Sequence, residues 1–185
     1  SVVEGLVDTN RVGRQARECL RAHPLTEARV SGSRGRAGRY PPQQYSANLE
    51  YQIVRARVVG HYAPNKADLV LEYERLLEYS TNEFTRDTNR YALAIAYYEN
   101  QQFSQANNTL APLLENDPNR ISYAVTLAEI LTEQNESGQA INFLQRHLAI
   151  NPGNNALTMA YVDALIKSRA YTSASEVMER HSVSR

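Results

Sequence analysis

From about residue 45 onward, apolar residues recur at i, i+3, i+4 and i+7, the spacing of one helix face. Short polar or proline-bearing breaks interrupt them. The pattern predicts helices at about 45–61, 66–79, 84–100, 103–116, 121–134, 138–149, 155–168 and 171–182. Proline cannot continue a helix interior, so Pro118 and Pro152 force restarts. Asn151-Pro152-Gly153 is a cluster of turn formers. Pro112 falls inside a predicted helix and implies a kink near residues 108–112. No apolar run approaches the ~18–20 residues that a membrane span needs.

The pattern also repeats. Leu93 is followed at the same phase by Leu127 and Tyr161, Ala94 by Ala128, and Ala106 by Ala140 and Ala174. Leu110 is followed by Leu144 and Met178, and Pro118 by Pro152. The period is 34 residues, that of stacked helix–turn–helix units. One amphipathic helix pair cannot bury its apolar face alone, so such units stack. The alanines mark where two helices must lie close: a bulky side chain there would push the axes apart, and alanine keeps high helix propensity. Leu110, Leu113 and Leu114 then fill the seam with the next unit.

On these residues the chain resembles the tetratricopeptide-repeat family. The resemblance implies an all-α, right-handed α-solenoid of antiparallel helix pairs, preceded by an N-terminal helical extension. The repeats fall at about 87–118, 121–152 and 155–182, with a degenerate unit at 45–80 whose key alanines do not align. The repeat domain would span 43–185, after an N-terminal segment at 1–42. Such arrays bind extended polypeptide along a concave face lined by the first helix of each pair. Carried over position by position, that groove takes in Thr88, Tyr91, Ile95, Tyr98 and Glu99, then Ser122, Val125, Glu129, Thr132 and Glu133, then Ala156, Met159, Asp163, Ile166 and Lys167. The Lys/Asn clamp of chaperone-binding members is absent. An aromatic, apolar and acidic surface suits a partly apolar peptide. The last repeat ends without a polar capping helix, so self-association through the C-terminal face is a further expectation.

Charge divides the chain. Residues 1–60 carry ten Arg against five Asp/Glu, residues 61–185 ten Lys/Arg against fifteen Asp/Glu, and the sum is zero. Much of the basic excess lies in CLRAHPLTEARVSGSRGRAGRYPP at 19–42, where Gly32, Gly35 and Gly38 weaken a helix and Pro41-Pro42 end it. The segment His23-Pro24-Leu25-Thr26-Glu27-Ala28-Arg29 ahead of a repeat array, with LAPLLENDPN at 110–119, resembles the β-barrel assembly-enhancing proteases of Gram-negative bacteria. That family consists of periplasmic zinc metallopeptidases with a tetratricopeptide domain. The resemblance implies a periplasmic location and zinc in a peptidase domain of the parent protein. It also implies outer-membrane proteins or their assembly machinery as partners, and for His23 a place near that zinc, where an imidazole could occupy the open metal position as a latency device.

This chain itself carries no H-E-x-x-H, no Gly-rich phosphate loop and no nucleophile elbow, so it is read as non-catalytic, without a metal or cofactor of its own. His147 and His181 are expected to pack along their helices. Cys19, the single cysteine, cannot form an internal disulfide and reads as a half-buried thiol. The chain begins at Ser1 without a targeting signal, as a mature form or an excised fragment would. Three functions compete: the interaction domain of a zinc protease, a stand-alone scaffold with unrelated partners, and anion or nucleic-acid binding through Arg29–Arg39. The acidic repeats and neutral net charge count against the third, and no nucleic-acid partner is expected.

Overall fold

The computed structural model describes residues 48–183. They form eight α-helices with no strand among them: α1 Leu49–Tyr62, α2 Lys66–Glu78, α3 Glu83–Glu99, α4 Phe103–Asn116, α5 Ile121–Glu133, α6 Ser137–Ile150, α7 Asn155–Lys167 and α8 Tyr171–Val183. The helix expected from residue 45 begins at Leu49. The N-terminal segment, with His23, Cys19 and the arginines at 29–39, lies outside the described residues.

Local chemistry explains the helix ends. Four helices start on asparagine: Asn48, Asn65, Asn82 and Asn154 each accept a backbone N–H of the first turn on the side-chain oxygen. The turns from α3 to α4, α5 to α6 and α7 to α8 are one motif used three times. Gln101, Asn135 and Arg169 take φ of 59°, 64° and 64°. Behind them Gln102, Glu136 and Ala170 donate their backbone N–H to the carbonyls of Tyr97, Leu131 and Leu165. This is the Schellman arrangement, which satisfies helix-end carbonyls. It recurs every 34 residues, like the alanines. The α4 helix runs unbroken through Pro112. Proline lacks the N–H that would bond the carbonyl four residues back, and the deprived residue, Asn108, is exposed.

Helices pair in sequence, α3 with α4, α5 with α6 and α7 with α8, and each second helix also packs on the next first helix. The small residues stand at these contacts: Ala94, Ala106, Ala140 and Ala164 are fully buried, and Ala128 nearly so. One core spans α1 to α5, a second α5 to α7, and a third, small one α7 and α8. Leu127 packs against the first and second, Ile141 and Tyr161 against the second and third, so burial continues along the array.

The first unit departs from the pattern for a visible reason. α3 is 17 residues long where α5 and α7 have 13, and the extra turn, Glu83–Arg86, is at its N-terminus. The buried face of α2, Leu69, Val70 and Tyr73, is thereby displaced three residues from the 34-residue phase. In α1 the phase holds: Gly60 lies 34 residues before Ala94 and is buried. Leu69, large where the later repeats have alanine, keeps α2 from nesting on α1. Both helices pack on α3 instead. Lys66 stitches them at the turn by donating to the carbonyls of Gly60 and His61 at the end of α1.

Candidate functional site

The first helices of the repeats present a row of side chains that meets in a cleft of about 250 Å3 across α3, α5 and α7. Tyr98 of α3 forms one wall. Glu129, Thr132 and Glu133 of α5 form the middle, and Ala160, Asp163, Ile166 and Lys167 of α7 the other wall. They share a face because 129, 132 and 133, like 163, 166 and 167, are spaced i, i+3, i+4 on their helices. Seven of the fifteen groove residues named from the sequence (Tyr98, Glu129, Thr132, Glu133, Asp163, Ile166 and Lys167) therefore come together.

The other eight, Thr88, Ser122 and Ala156 among them, do not line the cleft. Tyr91 is 0% and Ile95 3% exposed, so both are packing residues beneath the groove. Val125 is half-buried against the second core. Glu99 faces Lys66 Nζ at 3.7 Å and His61 Nδ1 at 3.8 Å. Met159 is exposed on α7 outside the lining. About one turn further along from Ile95, Val125 and Met159, the sequence-named Tyr98, Glu129 and Asp163 do reach it.

Electrostatically the cleft is acidic but largely compensated. Glu129 is held by Arg57 at 2.8 Å and Glu133 by Lys167 at 3.0 Å. Among the described residues Asp163 has no ion-pair partner. The Tyr98 phenol is pushed up to about 12, first by burial and then by the carboxylates of Glu129, Glu133 and Glu99. It stays a neutral hydroxyl, able to donate, beside a ring that packs on Phe103 at 5.8 Å between centroids. Below this floor Arg57 of α1 reaches across α3 to α5. Its Nε donates to Tyr91 Oη (3.0 Å), Nη2 to Thr126 Oγ1 (2.8 Å), and Nη1 and Nη2 to the two Glu129 oxygens (3.2 and 2.8 Å). Tyr91 Oη and Thr126 Oγ1 lie 2.9 Å apart, and Thr126 Oγ1 donates to the Ser122 carbonyl.

Arg57 is the residue that sequence reasoning missed. Its signal was present: Ile53, Ala56, Arg57 and Gly60 fall at i, i+3, i+4 and i+7, so the arginine sits on the buried stripe of α1. Of the histidines, His147 is 8% exposed and packs on Phe143 with ring centroids 4.5 Å apart. His181 Nε2 lies 3.0 Å from Asn155 Oδ1. Among the described residues no three His, Cys, Asp or Glu side chains are grouped to hold a metal ion, and no helix is long and apolar enough to cross a membrane.

Against known proteins, a family model described as anaphase-promoting complex, cyclosome, subunit 3 matches residues 67–147, from α2 into α6. The β-barrel assembly-enhancing protease of Yersinia pestis is 26% identical over 181 residues, 97% of this chain. That of Escherichia coli K12 is 26% identical over 185 residues, also 97% of the chain. A Vibrio cholerae protein described in similar terms is 29% identical over 176 residues, 95% of the chain. The described helix pairs stack as tetratricopeptide-type repeats do, and the chain is similar in sequence to these proteases. It spans only 36–37% of the relatives' length.

Proposed function

We propose that this array is the polypeptide-holding domain of a periplasmic zinc protease, and that it presents outer-membrane β-barrel proteins, or components that assemble them, to a peptidase domain elsewhere in the parent protein. The zinc would belong to that peptidase domain, and the array would contribute binding rather than bond cleavage. The observation that carries the reading is the cleft across α3, α5 and α7. It sets a donating Tyr98 hydroxyl and the unpaired Asp163 carboxylate beside the apolar Ile166, which is 45% exposed. An extended chain offers both backbone polar groups and alternating apolar side chains, and such a surface accommodates both. The names of the relatives supply the class of partner.

The experiment is site-directed photo-crosslinking in the 185-residue chain, with the crosslinker at Tyr98, at Ile166 and, as a buried control, at Tyr91. The bait is a urea-unfolded outer-membrane β-barrel protein diluted into buffer. Crosslinks are expected at Tyr98 and Ile166 and not at Tyr91. Asp163→Lys is expected to weaken capture, because it sets a like charge beside Lys167 and removes the one free carboxylate. Silence at both Tyr98 and Ile166 would overturn the groove reading. A parent reading frame lacking H-E-x-x-H would overturn the protease reading and leave the stand-alone scaffold.

A further inference from the structure

Arg57 lies outside the cleft, on a helix that does not line it, yet three of its guanidinium nitrogens are spent on two other helices. The α3–α5 seam is unlike its neighbours. The backbones of α1 and α3, and of α5 and α7, run closely side by side, whereas those of α3 and α5 approach far less. Two aromatic rings, Tyr91 and Tyr123, fill the gap with centroids 5.6 Å apart. Three polar groups at the gap answer to Arg57: Tyr91 Oη on α3, and Thr126 Oγ1 and the Glu129 carboxylate on α5. Each partner is satisfied. Tyr91 accepts from Arg57 and donates to Thr126; Thr126 accepts from both and donates to the Ser122 carbonyl; Glu129 takes a two-pronged guanidinium contact. Burial works against the Arg57 charge, but Tyr91 and Glu129 outweigh it, so the guanidinium remains charged.

We propose that Arg57 is a positioning residue for the groove: reaching from α1, it sets the α3–α5 spacing and holds Glu129 in the middle wall of the cleft, so that the first unit of the array tunes binding two units away. The proposal rests on the peptide-binding reading and adds a residue to it that touches no ligand. Arginine is required by geometry, because only its planar fork reaches a hydroxyl, a second hydroxyl and both oxygens of one carboxylate at once. A lysine would offer one point charge. If the guanidinium is lost, Glu129 becomes an unpaired carboxylate at the edge of a buried seam. It then swings toward water or repels the neighbouring Glu133, and the wall it belongs to loses its shape.

The test measures binding of fluorescently labelled, urea-unfolded outer-membrane β-barrel protein to the full chain as wild type, Arg57→Met, Arg57→Lys, Glu129→Gln and the Arg57→Met/Glu129→Gln pair, with thermal unfolding of each beside it. Methionine keeps the aliphatic bulk on the buried stripe. Arg57→Met is expected to weaken binding about tenfold, the scale of losing one partner of a half-buried charge pair. Arg57→Lys is expected to recover only part of the loss. The double variant should bind no worse than Arg57→Met, since the arginine acts through Glu129. Arg57→Met binding within about twofold of wild type overturns the positioning role while leaving the groove intact. Losses that add in the double variant overturn it too, because they would mean two independent contributions. Absence of wild-type binding sinks the peptide reading itself and the positioning role with it. A binding loss that merely follows a fall in melting temperature, restored when the assay is cooled below the transition, shows Arg57 to be structural only and also overturns the proposal.

Discussion

At Gly60 helix α1 comes so near α3 that a Cβ built there would stand 2.6 Å from Ile95 Cγ2. Helix propensity alone favours alanine over glycine by about 1 kcal/mol, and on an exposed helix that substitution would stabilise. Here the opposing atom belongs to a β-branched side chain that is 3% exposed and has nowhere to turn. Gly60→Ala is therefore expected to destabilise by about 1–3 kcal/mol, the scale of overpacking a closed core, measured by denaturant unfolding. A neutral or stabilising outcome would mean that α1 slides freely over α3. The contrast with Ala94 and Ala128 shows what a residue-level pattern can disclose. A search for alanine at a fixed phase finds the later repeats and passes over Gly60, although the physical requirement, a small residue at a close crossing, is the same. Arg57 escaped for the opposite reason. A charge on an apolar stripe reads as a break in periodicity, and only the folded chain brings Tyr91, Thr126 and Glu129, 34, 69 and 72 residues away, to meet it.

At the scale of elements, helix positions were legible almost to the residue, because proline, asparagine caps and the 3.6-residue period all point to the same boundaries. The extra turn of α3 also falls within the helix expected at 84–100, but its consequence was not legible: Glu83–Arg86 disturbs no apolar phase within the helix, so it shows only as a mismatch between α2 and the repeats that follow. Also invisible was the backbone at the three first-to-second helix turns, where Gln101, Asn135 and Arg169 hold left-handed φ. Outside glycine that conformation costs roughly 1–2 kcal/mol, and asparagine tolerates it best. Gln101→Gly and Arg169→Gly are thus each expected to raise stability by about 0.5–1 kcal/mol, the relief being partly offset by the greater freedom of glycine in the unfolded chain. Asn135→Gly should gain less. Denaturation midpoints of the three variants against wild type decide it, and a loss at Arg169 would show that its side chain holds the turn in a way the backbone does not require.

For the whole array, stability should be bounded on both sides by buried groups that resist ionising. Three phenols, Tyr97, Tyr98 and Tyr123, are each pushed up to about 12. Burial is the first cause in all three, joined by Glu74 at Tyr97, by Glu129, Glu133 and Glu99 at Tyr98, and by Asp87 and Asp117 at Tyr123, where Arg120 opposes them. In the unfolded chain a phenol loses its proton near pH ~10. Between about 10 and 12 the unfolded state therefore sheds protons that the fold retains, and stability falls as pH rises through that window. His147 works in the other direction: burial, then Arg146, lowers its pKa, so the fold prefers the neutral ring. Its contribution is intact above the unfolded value of about 6.5 and is lost as pH falls below it. The expected profile is a plateau from neutral pH to about 10 with a decline on each flank. The variants identify the owners: His147→Gln should flatten the first part of the acid decline, and Tyr97→Phe with Tyr98→Phe the alkaline one. Tyrosinate absorbance recorded alongside the denaturation curves adds a direct check. If these tyrosines ionise with the exposed ones before the helices melt, the alkaline flank is not theirs. In that case the carboxylates of the groove do not hold the Tyr98 proton at alkaline pH, while near neutrality an ordinary phenol stays protonated and the cleft keeps its donor.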